Sequence, residues 1–278
     1  MTTYVADDLS VLPFTHDVKA GPYVDPPRET VRDSLSKLGV WDRSFSPDEL
    51  IEWMDAAGIE KALIPAQVAG TWQVSYETVA ELCSGHPDRL YGMAGFDPED
   101  IMDGTRKLEY GVNDLGFVGA HCYPHWLQIP IDSREFYPLY AKCVELDIPV
   151  QIQVGLAFQK TRASMGFPAA VDQIAVDFPD LKIVGIHAGY PWEREMVAVA
   201  WKNANVYIGC DTHPPSTWAP EILDYLKGDG REKCMFGTNY PCLDFSEAIS
   251  QVGDLGLEAD TQELLLRRNL RRLYKLAD

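Results

Sequence analysis

Apolar residues fall along this chain in two alternating patterns. Short runs rich in Val, Ile, Leu and Cys, each closed by Gly, Pro or a polar residue, read as buried strands. Between them, apolar residues recur every three or four positions, the spacing of a helix with one buried face. The runs cover 61–65, 90–96, 116–121, 149–154, 182–187, 206–210 and 233–236, with a poorly defined first member inside 4–14. Ser46-Pro-Asp-Glu49 is a capping box with Pro at the first helical position. Leu50, Ile51 and Met54 then share one face, and Gly58 ends the helix. Further helices are predicted over 76–83, from Asp97 onward, through Phe136, Leu139, Tyr140, Cys143 and Val144, over 169–177, after Trp192, and over 261–276. Eight strands alternating with helices, one unit per roughly 25–35 residues, predict an α/β fold, a single (β/α)8 TIM barrel spanning 1–278. An open doubly wound sheet would carry a Gly-rich phosphate loop after its first strand, and none is present.

Composition agrees with one large core. The chain has 278 residues, 46% of them hydrophobic. Its formal net charge of −18 argues against nucleic acid and against an anionic membrane surface as partners. No apolar run reaches the length of a membrane span, and the N-terminal residues lack the basic and apolar regions of a signal peptide. The six cysteines, Cys83, Cys122, Cys143, Cys210, Cys234 and Cys242, are scattered without a Cys-x-x-Cys pair and read as reduced core thiols. A cytoplasmic location is therefore expected.

The barrel assignment turns scattered polar residues into a constellation. The carboxyl ends of parallel strands are where such folds bind ligands. The predicted fourth strand ends at His121, with Tyr123, His125 and Trp126 beyond it; the fifth ends near Gln153 and the sixth at His187. The seventh leads to Asp211 and His213, and the eighth to Gly237-Thr-Asn-Tyr-Pro241 with Asn239. Taken alone, His187 is equally a satisfied core histidine and a ligand. Four of the six histidines at one rim, with His16 and Asp17 after the first strand, point instead to a metal site.

Phe117-Val-Gly-Ala-His121, Ile183-Val-Gly-Ile-His-Ala-Gly189, Phe236-Gly-Thr-Asn-Tyr-Pro241 and Asn269-Leu-Arg-Arg-Leu-Tyr274 resemble the amidohydrolase superfamily, in particular its aminocarboxymuconate semialdehyde decarboxylase-like branch. The resemblance runs from about Ser46 to the C-terminus. It implies metal ligands as a His-x-His on strand one, His on strands five and six, and Asp on strand eight. His187 matches the strand-six position, but strand five offers Gln153 and strand eight Asn239. No His-x-His exists near strand one, where Asp7 and Asp8, or His16 and Asp17, are the nearest substitutes. Asn cannot take a proton from an attacking water as Asp does.

Such an exchanged ligand set resembles a second branch, the non-heme diiron monooxygenase of platensimycin and platencin biosynthesis, which hydroxylates a coenzyme A-linked diterpenoid acid. That resemblance implies an iron site, possibly with two ions, held by His121 and His187 and completed by Asp211, His213, Gln153 and His16 or Asp17. Asn239 and His125 would then be catalytic. Tyr123, Trp126, Tyr190, Trp192 and Tyr240 would line a pocket for a hydrophobic carboxylic acid or its CoA thioester, with O2 and a reductant as co-substrates. The alternative is a decarboxylase or hydrolase of a small carboxylic acid, using zinc or another divalent metal. A non-catalytic barrel is a distant third reading. A homo-oligomer is compatible with each.

Overall fold

The computed structural model describes residues 46–67, 74–157, 162–240 and 243–277. Helix α1 (Pro47–Ala56) begins at the expected capping box. The Glu49 backbone N–H donates to Ser46 Oγ at 3.2 Å, and the Glu49 carboxylate accepts from the Ser46 N–H at 2.7 Å. Leu50 and Met54 face the core. Among the described residues seven strands follow, all parallel and paired in sequence order: β1 (Ala62–Pro65), β2 (Leu90–Gly95), β3 (Gly119–Cys122), β4 (Val150–Gln153), β5 (Ile183–Ile186), β6 (Val206–Cys210) and β7 (Cys234–Phe236). Consecutive parallel neighbours joined through helices form a curled, TIM-barrel-like sheet. The helices between strands are α2 (Tyr76–Gly85), α3 (Ile101–Asn113), the short α4 (Pro124–Leu127), α5 (Tyr137–Glu145), α6 (Ala169–Asp177), α7 (Glu193–Lys202) and α8 (Pro220–Lys227). After β7 come α9 (Phe245–Gly253), α10 (Ala259–Glu263), a π-helical turn (Leu264–Arg268) and α11 (Asn269–Tyr274). The strand expected inside 4–14 lies outside the described residues, as do His16, Asp17 and Cys242.

The two faces of the sheet part into two apolar clusters, as the two-residue period of a strand requires. Ala120, Cys122, Val150, Ile152, Ile183, Ile208, Cys210, Cys234 and Phe236 pack outward against the helices. Leu63, Met93, Val184, Ile186 and Met235 pack inward. By the same period His121, Gln151 and Gln153 point into the barrel.

The far end is filled by the C-terminal elements. Leu270, Leu273 and Tyr274 join the inward cluster. The Tyr274 ring enters beside Gly119, where a Cβ would sit 2.9 Å from Tyr274 Cε1. Asn269, buried, donates from Nδ2 to the carbonyls of Arg231 and Cys234, each at 2.8 Å, and so staples α11 under β7.

Two expectations shift. The strand predicted from Gly116 starts at Gly119, because Gly116 is left-handed (φ 72°) and the Phe117 N–H still closes the preceding helix on Gly111 O. The helix predicted as continuous over 261–276 is interrupted by the π turn. Among the described residues no helix is long and apolar enough to cross a membrane.

Candidate active site

The β5 run ends at Ile186, and the chain turns at once through His187 and Ala188, both left-handed (φ 68° and 54°). L-residues adopt that region at a cost of about 1–2 kcal/mol. Thr212 (φ 67°) after β6 and Asn239 (φ 47°) after β7 share it, so non-glycine strain gathers at one edge of the sheet.

One carboxylate helps to hold the His187 turn. Asp211, fully buried, accepts the His187 backbone N–H at Oδ1 (2.5 Å) and faces ring Nδ1 with Oδ2 (3.0 Å). Thr212 Oγ1 stands 2.5 Å from the same Nδ1. A carboxylate only accepts, so Nδ1 carries the hydrogen towards it.

Three further imidazoles surround this pair. His121 and His125 are pushed down to about 4, first by burial and also by the charge of His187. His213 is lowered for the same two reasons, burial first. His121 meets Gln151 Oε1 with Nδ1 at 3.0 Å and lies edge-on to the Tyr123 ring, centroids 4.2 Å apart. His125, from α4, donates from Nε2 to Gly155 O at 2.9 Å. His213 packs against Tyr190, with ring centroids 4.6 Å apart. Around neutral pH these three rings are uncharged.

The other expected positions spread out. Gln153 and Asn239 are buried. Tyr240 is buried and stacks on Phe245. Trp126 belongs to α4. Trp192 packs edge-on against Phe167, and Tyr190 is half-exposed. Thr212 and Gln151 are absent from the sequence reading. Gln151 carried a visible signal, since Val150-Gln-Ile-Gln153 alternates strictly and puts both amides on the inner face.

A sequence profile of the amidohydrolase family matches residues 37–276. The chain belongs to the amidohydrolase family. It is 32% identical over 151 residues to the 2-keto-4-carboxy-3-hexenedioate hydratase of Sphingobium sp. (strain NBRC 103272 / SYK-6), a match covering 46% of this chain and 44% of that enzyme. The chain thus spans less than half the length of that relative. It is 22% identical over 284 residues to the gamma-resorcylate decarboxylase of Rhizobium sp. (strain MTP-10005), covering 82% of this chain and 87% of that one. Among solved structures, the dihydroxybenzoic acid decarboxylase of Polaromonas sp. JS666, with bound manganese and the inhibitor 2-nitroresorcinol, superposes with a TM-score of 0.70 at 20% identity. That superposition covers 90% of this chain and 94% of the other.

These relatives correct the functional expectation. They are decarboxylases and a hydratase, and the structural neighbour holds manganese. Nothing among them supports an iron monooxygenase, an oxidoreductase or a role in antibiotic biosynthesis, and that reading is withdrawn.

The described residues supply only part of the expected metal site, since its strand-one candidates His16 and Asp17 lie outside them. Among them no group of three or more His, Cys, Asp or Glu side chains is placed to hold a metal. The Asp211 carboxylate is engaged by His187. Positions 153 and 239 carry neutral amides.

Proposed function

We propose that this amidohydrolase-family protein is a decarboxylase of a small hydroxylated aromatic carboxylic acid, with His187 as the proton carrier. The observation that carries the reading is the buried His187–Asp211 pair at the carboxyl edge of the sheet. Loss of CO2 from an aryl carboxylate breaks the ring-carbon to carboxyl-carbon bond and leaves the electron pair on the ring carbon. That carbon must gain a proton, so ArCOO⁻ and H⁺ give ArH and CO2. An imidazolium whose Nδ1–H is held by a carboxylate is a suitable donor through Nε2, because Asp211 stabilises the positive charge and fixes the ring. The neutral His121, His125 and His213 keep the proton inventory of the site on His187. The decarboxylase relative, aligned over most of both chains, supports the same reaction class.

A hydratase is the second reading, favoured by the 32% identical relative. Adding water across a C=C bond also delivers a proton to carbon, so the same dyad would serve.

The test is turnover of 2,6-dihydroxybenzoate in D2O, with and without added manganese. Resorcinol carrying one deuterium on the carbon that held the carboxylate is expected. His187→Gln should lower the rate by about 10²–10⁴-fold. No CO2 from a panel of hydroxybenzoates, or a His187→Gln rate equal to wild type, would reject the decarboxylase. Consumption of an unsaturated keto-dicarboxylate by the same protein would select the hydratase.

A further inference from the structure

The end of the sheet away from His187 holds a cavity that the proposed chemistry does not use. It lies where the chain enters β1 and β2. Its volume is about 660 Å³, within the range of about 300–1,000 Å³ usual for small-ligand sites. Four cations line it: Lys61, Arg89, Arg267 and Arg271. The chain as a whole carries a formal charge of −18, so this cluster runs against its general field.

The nearby carboxylates are spent on the arginines. Asp55 Oδ1 accepts from Arg89 Nη2 at 2.6 Å. Glu60 Oε2 accepts from Arg271 Nη2 and stands 3.4 Å from Arg267 Nη2. Lys61 is left with neutral partners. It is 6% exposed, and its Nζ donates to the backbone carbonyl of Asp88 at 3.0 Å and to the Tyr91 hydroxyl at 2.8 Å. The Tyr91 ring, its centroid 5.1 Å from Nζ, adds a weak attraction but no counter-charge. Among the described residues Lys61 makes no ion pair. A buried cation without a counter-charge is costly, and an ammonium with two acceptors still has a third hydrogen to place.

Arg267 is also incompletely met. Its contacts with Glu60 at 3.4 Å and Glu263 at 3.7 Å are ion pairs, with no hydrogen bond among the described residues. Arg89 donates from Nε to Glu60 O and from Nη2 to Asp55 and Ile59 O, so Nη1 has no acceptor among those residues. Three cationic groups round one cavity thus keep donors to offer.

We propose that this cavity binds a phosphate group, with Lys61, Arg89 and Arg267 as its donors. The site is separate from the His187 site and independent of the decarboxylase reading. A tetrahedral oxyanion accepts on several sides at once, which suits a lysine point charge together with guanidinium forks; a single flat carboxylate would meet fewer of them. Bound there, it supplies the counter-charge that Lys61 lacks. It also ties the starts of β1 and β2 to the C-terminal segment that carries Arg267, so the fold is stabilised by its ligand.

The test is calorimetric titration of the full chain with inorganic phosphate and with glycerol 2-phosphate at constant ionic strength, alongside thermal melts. One saturable site with a Kd of about 1 mM or tighter is expected. Lys61→Met keeps the apolar stem, and the Tyr91 hydroxyl still lies 3.4 Å from Asp88 O. This variant should bind phosphate at least about 10-fold more weakly and lose the rise in Tm that phosphate gives wild type. Arg267→Gln should weaken binding by about 10-fold as well, and decides the matter if the first variant does not fold. Tighter binding of glycerol 2-phosphate than of the free ion would identify an ester as the ligand, and the reverse would identify inorganic phosphate; both support the site. Absence of saturable binding would overturn it, as would equal affinity in wild type and both variants. Citrate or benzoate binding more tightly than either phosphate would also overturn it, since that assigns the cavity to carboxylates.

Discussion

His187 shows how far a single residue can be read. Its position at a strand end, followed by Ala-Gly, was legible because β-branched residues stop there and glycine begins. Its partner was not legible, because Asp211 lies 24 positions on and a sequence does not show which way a carboxylate turns. The same Asp211, expected as a metal ligand, spends both oxygens on one residue. Asp211→Asn should therefore lower turnover by about 10²–10⁴-fold while changing KM little, because it disturbs the proton carrier and not the ligand contacts. Steady-state kinetics on the variant checks the split. Acid sensitivity belongs to this scale too. His121 and His125 titrate near 4 in the fold and about 6.5 when unfolded, so the unfolded chain takes up more protons between those values. Stability is greatest above about 6.5 and falls as pH drops towards about 4, by on the order of a few kcal/mol for the two together. Urea melts at pH 7, 5.5 and 4.5 should show that slope, and His125→Gln should flatten it.

At the scale of elements, agreement was closest where local rules govern. The 169–177 helix, the 206–210 strand and the Ser46 capping box were read from short-range spacing and appear as expected. The start of β3 and the C-terminal helix were harder, because a left-handed glycine and a π turn leave little trace in apolar periodicity. Connections after the strands are where backbone choice matters most. Gly155 (φ 90°) follows β4 with its α-carbon pressed on the next turn, a Cβ there lying 2.4 Å from Tyr190 O. Gly155→Ala meets both the left-handed penalty and a backbone clash, and should lose at least about 2 kcal/mol by chemical denaturation. Gly253, by contrast, has open space around its α-carbon and an ordinary helical setting, so Gly253→Ala should be neutral or slightly stabilising in the same assay.

For the molecule as a whole, the parallel order of β1 to β7 was legible from alternation alone, and the sheet puts the polar strand ends on one edge. What alternation could not supply was the way the other end is shut. Asn269 serves two backbone carbonyls at once, and Asn269→Leu would leave both without a donor. The expected loss is about 2–4 kcal/mol, measured by urea unfolding with unchanged cooperativity. The plug it anchors has a consequence in time. Tyr274 meets Gly119 across 155 positions, and Lys275 reaches Asp147 across 128, so the interior is sealed only after nearly all of the chain is present. Contacts that distant form late, since a long loop must close before they stabilise anything. A ribosome-bound chain that has emerged only as far as β7 would carry its strands and outer helices with the inward face still wet. Its first protease-resistant state should coincide with emergence of α11, not with completion of the sheet.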